Sequence, residues 1–201
     1  IVAMALVTCF MFWQHHKDKE AVEAEAASLN ELRSELEKKH AGYCLQLSPH
    51  LSREQMNTID TLLMQMREVK KDTLWMSQFE FTLGQWHGLL GGKYNPTDSQ
   101  MPITNVAYDE INYVLLDSLR NMTGIEFTLP SVDEWQYAAH GGVNNETTMY
   151  VGSNDVNRVA WYKNNSSNRK HAINDIVEKE PNTLDLFAMS GNVSELCNTP
   201  Y

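Results

Sequence analysis

Residues 17–40, "KDKEAVEAEAASLNELRSELEKKH", contain neither Gly nor Pro and are rich in Ala, Glu, Lys and Leu. Such a composition favours helix over every alternative. Val22, Leu29, Leu32 and Leu36 follow a heptad-like spacing, with Glu31, Glu35, Lys38 and Lys39 supplying exposed charge. The stripe spans only about two heptads, fewer than the three or four of a well-defined coiled coil. Two readings therefore carry equal weight: a coiled-coil stalk, or a solvated helix that lays one face on its own domain. Gly42 and Pro49 end the pattern.

Upstream, "IVAMALVTCFMFW" (1–13) is continuously apolar and gives way abruptly to "QHHKDKE". A run of this length is short of the roughly 20 residues that cross a bilayer. It starts at the first residue, however, so a membrane-spanning or signal-anchor segment over residues 1–16 is the expectation. A signal-peptide core and a buried core helix are the alternatives.

A second amphipathic helix is expected from "LSREQM" (51–56) to about Val69. Ser52 can cap it, Gln55 can reach back, and Leu51 can staple onto Met56. Met56, Ile59, Leu63 and Met66 keep a 3, 4, 3 spacing, which is packing chemistry. From Thr73 the character changes. "TLWMSQFEFTLGQW" reads as a strand leading into a helix, "GGKYNPTDSQMP" as turns, and Ile111, Leu115 and Leu119 as one face of a helix over 109–120. Beyond 140 the chain is Asn- and Ser-rich. The division that follows is a membrane segment (1–16), a helical stalk (17–72) and a loop-rich α+β domain (73–201).

The formal charge of −10 argues against nucleic acid, whose phosphates require clustered Lys and Arg. Cys9, Cys44 and Cys197 are widely spaced and odd in number, so they make neither a zinc module nor a disulfide scaffold. His15, His16, His40, His50, His87, His140 and His171 show no two-His spacing with a carboxylate.

"FTLPSVDEWQYAAHGG" (127–142) explains itself locally. Ser131 and Glu134 form a capping box, and Gly141 and Gly142 supply a left-handed stop. Its company says more. "FEFTLGQWHGLLGG", "MPITNVAYDEINYVLLDSL", "TGIEFTLPSVDEWQYAAHGG", "VAWYKNNSS" and "EPNTLDLFAMSGNVSELC" follow one another in order. Together they resemble the formylglycine-generating-enzyme-like, or sulfatase-modifying-factor, family over about residues 74–201. The resemblance implies an irregular variant of the C-type-lectin-like fold, so the fold class expected is α+β: such a domain, preceded by a membrane helix and a helical stalk.

The resemblance also implies where chemistry would reside. Active members oxidise a substrate Cys to formylglycine on copper held by two Cys beyond the G-N-V-x-E-W-C motif, and Cys197 matches the motif's own Cys rather than either of those two. Calcium-binding members use the same motif, which maps onto Gly191, Val193 and Glu195 as candidate calcium ligands. Glu195 bonding to loop amides is the competing role. Thr128, Asp185, Ala188, Ser194 and Leu196 depart from the family pattern, and Ala188 removes a side-chain oxygen. Asp185 tolerates a left-handed backbone better than most residues. No catalytic residue is assigned. The function expected is a membrane-anchored, non-catalytic structural or partner-binding subunit in a larger assembly outside the cytoplasm, in a bacterial periplasm or at the cell surface. Its stalk helices would contact protein partners or further copies of the chain. The alternative is a metal-dependent oxidase of the formylglycine-generating type whose reactive part lies outside this sequence.

Overall fold

The computed structural model describes residues 2–144 and 147–198, with residues 2–16 described by backbone alone. Helix α1, Val2–Lys39, is continuous, as a stretch without helix breakers should be. The expected membrane segment falls on its first turns, whose side chains lie outside the described residues. Among the described residues no helix is long and apolar enough to cross a membrane.

Residues 17–27 of α1 are exposed throughout, Val22 to 69%. Contact with the rest of the chain begins at Glu25, whose carboxylate lies 3.5 Å from the Arg53 guanidinium, and continues at Ser28 and Leu29. Leu29 and Leu32 are half-buried, and Leu36 is buried. The C-terminal part of α1 thus lies on its own domain, the second of the two readings above.

Helix α2, Arg53–Met64, begins as the sequence demands, with Ser52 and Gln55 closing a capping box. It ends earlier than expected. Gln65 caps it, and Met66–Lys70 is β1 rather than a further helical turn. β1 pairs antiparallel with β2, Leu74–Ser77, in register Met66↔Ser77 and Glu68↔Trp75, with an irregularity before Lys70. Periodicity alone carried the helix too far here: Met66 continues the helical 3, 4, 3 spacing, and β1 buries only Val69 fully, so it shows no period-2 signal.

Packing does not divide the chain at residue 72. Met56, Ile59, Leu62 and Leu63 of α2 and Leu36 of α1 share one buried cluster with Leu89, Leu115 and Leu119. The first of these three belongs to α3, Leu83–Leu90, capped by a Thr82–Gln85 box. The other two lie on one helical rod, α4 (Tyr108–Glu110), a π-turn segment (Ile111–Leu116) and α5 (Asp117–Thr123). Leu36 and the Met56–Leu63 stripe therefore pack against the head, while Val22 at the start of the α1 stripe stays exposed.

A second, smaller cluster joins Val69 of β1, Ala138 and Ala139 of α6 (Val132–Ala139), and Leu186 and Met189 of the following loops. Two short helices, α7 (Val156–Val159) and α8 (Ile173–Ile176), punctuate the remaining loops. Between them these pieces support one open cleft on the α6 side of the head.

Candidate functional site

Three segments build the cleft. The first is α6. Ser131 accepts from the Glu134 N–H and the Glu134 carboxylate accepts from Ser131 N, so the helix starts where the sequence places it. Gly141 (φ 74°) and Gly142 (φ 63°) supply the left-handed stop. This fixes Trp135 one turn into the helix, against the cleft.

The second segment carries Trp161. Its indole N–H donates to the Asp175 carbonyl at 3.0 Å. His171 stacks on its ring at 3.9 Å between centroids, and the Lys179 ammonium sits 4.1 Å from the ring centroid. His171, 4% exposed, is held in turn by Asp175 Oδ2 at 3.0 Å and the Ser166 carbonyl at 3.1 Å. Trp161 is a fixed wall.

The third is the loop "AMSGNVSELC" (188–197). Three of its residues have left-handed backbones: Ala188 (φ 57°), Gly191 (φ 98°) and Asn192 (φ 53°). At Gly191 the requirement is absolute, because a Cβ would stand 2.2 Å from the Trp161 carbonyl oxygen. That close approach lets the Asn192 N–H donate to the same carbonyl at 2.8 Å. Asp185 (φ 61°) takes the left-handed turn its side chain suits, and Arg67 Nε and Gln78 Nε2 both donate to its Oδ2.

Beneath this loop lies Glu80, 9% exposed. Its Oε2 accepts from Asn192 Nδ2 at 2.6 Å and its Oε1 from Val193 N at 3.2 Å. Asn192 also accepts from His171 N at 2.8 Å, so one amide side chain ties three segments together. Burial outweighs those hydrogen bonds and, with the nearby Glu195 charge, pushes the Glu80 carboxyl up to about 7. Nothing in the sequence reading singled out Glu80 or Asn192. The available signal was a lone carboxylate inside the aromatic run "FEF".

The cleft above is about 490 Å³ and is walled by Trp135, Trp161, Tyr162 and Met189, with Glu195 and Cys197 along the loop. Glu195 faces the cleft's solvent yet is crowded by protein on its other sides. Its Oε2 accepts from Trp135 Nε1 at 2.6 Å. Burial raises its carboxyl above the ordinary value despite that bond. Burial first, and then the charge of Glu195, also raise the Cys197 thiol.

Gly191, Val193 and Glu195 lie together on this loop. Glu195 bonds an indole rather than loop amides, and Ala188 contributes no side-chain oxygen. Two carbonyls and one carboxylate fall short of the 6–8 oxygens calcium takes. Among the described residues no three His, Cys, Asp or Glu gather as a metal site. Cys44 is exposed, on the α1–α2 connection, and Cys197 lies in the cleft.

The head is thus a loop-dominated α+β domain in which a left-handed Gly-Asn turn braces an aromatic cleft. Residues 65–201 match the family model "Sulfatase-modifying factor enzyme 1-like domain", and the chain belongs to that family. It is 24% identical over 180 residues to "Chaperone protein LppX" of Paenibacillus barcinonensis, covering 65% of this chain and 64% of that protein. The chain therefore spans just under two thirds of that relative's length. Among solved structures it resembles CarF, at TM-score 0.50 and 21% identity over 63% of this chain and 69% of that one. It also resembles Treponema denticola variable protein 1, at TM-score 0.49 and 21% identity over 66% and 68% respectively.

Proposed function

We propose that this chain is a non-catalytic, partner-binding subunit, held at a membrane by its N-terminal segment with the sulfatase-modifying-factor-like head outside the cytoplasm. The observation that carries the reading is the open cleft of the head, walled by Trp135, Trp161, Tyr162 and Met189 and bordered by exposed Val132 and Leu196, a surface suited to another protein. The exposed 17–27 arm of α1 supports the anchoring half of the reading, since it spaces the apolar residues 1–13 from the head. A relative named as a chaperone is in keeping with a head whose business is another protein.

The test has two readouts. The full chain is incubated with copper, oxygen, reductant and a Cys-containing sulfatase peptide, and the peptide is weighed. Its mass should not change; conversion of Cys to formylglycine overturns the non-catalytic reading. Alkaline carbonate extraction of native membranes should leave the chain in the pellet. Release of intact protein to the supernatant removes the anchor.

A further inference from the structure

Among the described residues Glu195 is the single charged one lining the cleft. Its Oε2 is committed to the Trp135 indole, while its Oε1 has no hydrogen-bond partner among the described residues. Glu195 is exposed at the cleft and forms no salt bridge among the described residues, so its charge is open to a cation brought by a partner. The rest of the lining selects what kind of cation. Trp161 has its ring occupied by His171 and Lys179, so it offers no stacking face to a flat neutral ligand such as a sugar. Trp135 has spent its N–H on Glu195. What the cleft still presents is one negative acceptor in a lining that includes Trp135 and Tyr162, whose rings attract cations as well as apolar stems.

The surroundings select how that cation arrives. Val132, on the first turn of α6, is 40% exposed, Leu196, next to Glu195, is 45% exposed, and Tyr108 is 43% exposed. Tyr108 is drawn to this side of the head by donating to Asn198 Oδ1 at 2.5 Å, while Asn198 N donates to the Pro130 carbonyl at 2.7 Å. Exposed apolar side chains gathered beside a cleft suit a protein surface better than a small solute.

We propose that the cleft receives a basic side chain, arginine or lysine, presented by a protein partner, with Glu195 as its counter-charge and Trp135 and Tyr162 as its walls. This rests on the reading of the head as a partner-binding module. The probes are blocked tripeptides with a central arginine, lysine or citrulline, titrated into the full chain while the Trp135 indole resonance is followed. The arginine and lysine peptides should shift it saturably. Citrulline, isosteric with arginine but neutral, should bind at least about tenfold more weakly. Glu195→Gln should cost a similar factor, and its amide oxygen still accepts from Trp135, so the fold is kept. Ser194→Lys adds a cation at an exposed lining position and should block the basic peptides without touching Glu195. Equal binding of citrulline and arginine overturns the proposal. So does unchanged affinity in both variants, or no saturable shift up to about 10 mM peptide. Any of these with the Cys peptide still unconverted overturns this inference alone, whereas conversion of that peptide overturns the reading beneath it.

Discussion

The Glu80–Asn192 contact is where single side chains decide the shape of the cleft. Glu80→Ala would leave the Asn192 amide and the Val193 N–H facing a void they cannot fill with hydrogen bonds. Stranding buried donors costs about 1–3 kcal/mol each, and Asn192 keeps a second partner in the His171 carbonyl at 3.2 Å. A loss of about 2–4 kcal/mol is therefore expected from urea unfolding, against about 1–2 kcal/mol for Glu80→Gln, whose single amide oxygen satisfies one of the two donors and leaves the other facing an NH2. Equal losses for the two variants would mean that packing, and not the acceptor, holds the loop. At this scale the sequence was half legible. The capping residues Ser52, Ser131 and Glu134 act within four positions of themselves, so their partners can be read off directly. Glu80 and Asn192 lie 112 positions apart, and only the folded chain makes them neighbours. Glu195 was visible through its motif, but its bond to Trp135, 60 positions away, was not.

Among the elements, the contact between α1 and α2 rests on Asp60 as well as on leucines. Lys39 Nζ donates to it at 2.8 Å and His40 Nε2 lies 2.6 Å away. Burial alone would raise the Asp60 carboxyl, but those two partners outweigh it and hold it below its ordinary value. The sign then follows. A carboxyl depressed on folding contributes stability that is complete above its unfolded value of 3.8 and drains away as pH falls through the lower folded value. Asp60→Asn should flatten the acid limb of the stability curve and lower the midpoint at neutral pH, because His40 and Lys39 keep only a neutral amide oxygen in place of a charged acceptor. A curve parallel to wild type between pH 2 and 5, roughly the carboxylate range, would show the pair to be decorative. Element identities were easiest to read where propensity and cap agreed, as in α6. The exchange of a last helical turn for β1 was not legible, because β1 buries a single residue, Val69, and shows no alternation, while Ser77 and Met76, which pair with Met66 and Arg67, settle the strand.

For the whole molecule, the question is whether the head stands without what precedes it. Eight of the eleven residues in the larger buried cluster lie before residue 72: Leu36, Leu45, Leu47, Leu51, Met56, Ile59, Leu62 and Leu63. Removing them would uncover Leu89, Leu115 and Leu119 together. The smaller cluster would also lose Val69, and Asp185 would lose Arg67. The change of composition at Thr73 marks where helices give way to loops, and composition carries no record of which helix covers which face. A chain of residues 73–201 should consequently lack cooperative unfolding and bind a hydrophobic dye, the behaviour of a collapsed state without fixed packing. A chain of residues 28–201, which keeps Leu29, Leu32 and Leu36, should unfold in one transition near the wild-type midpoint, since residues 17–27 are exposed. Calorimetry of the two fragments decides it: a single sharp transition at the wild-type temperature for 73–201 would mean that α1 and α2 are passengers on the head, not part of its core.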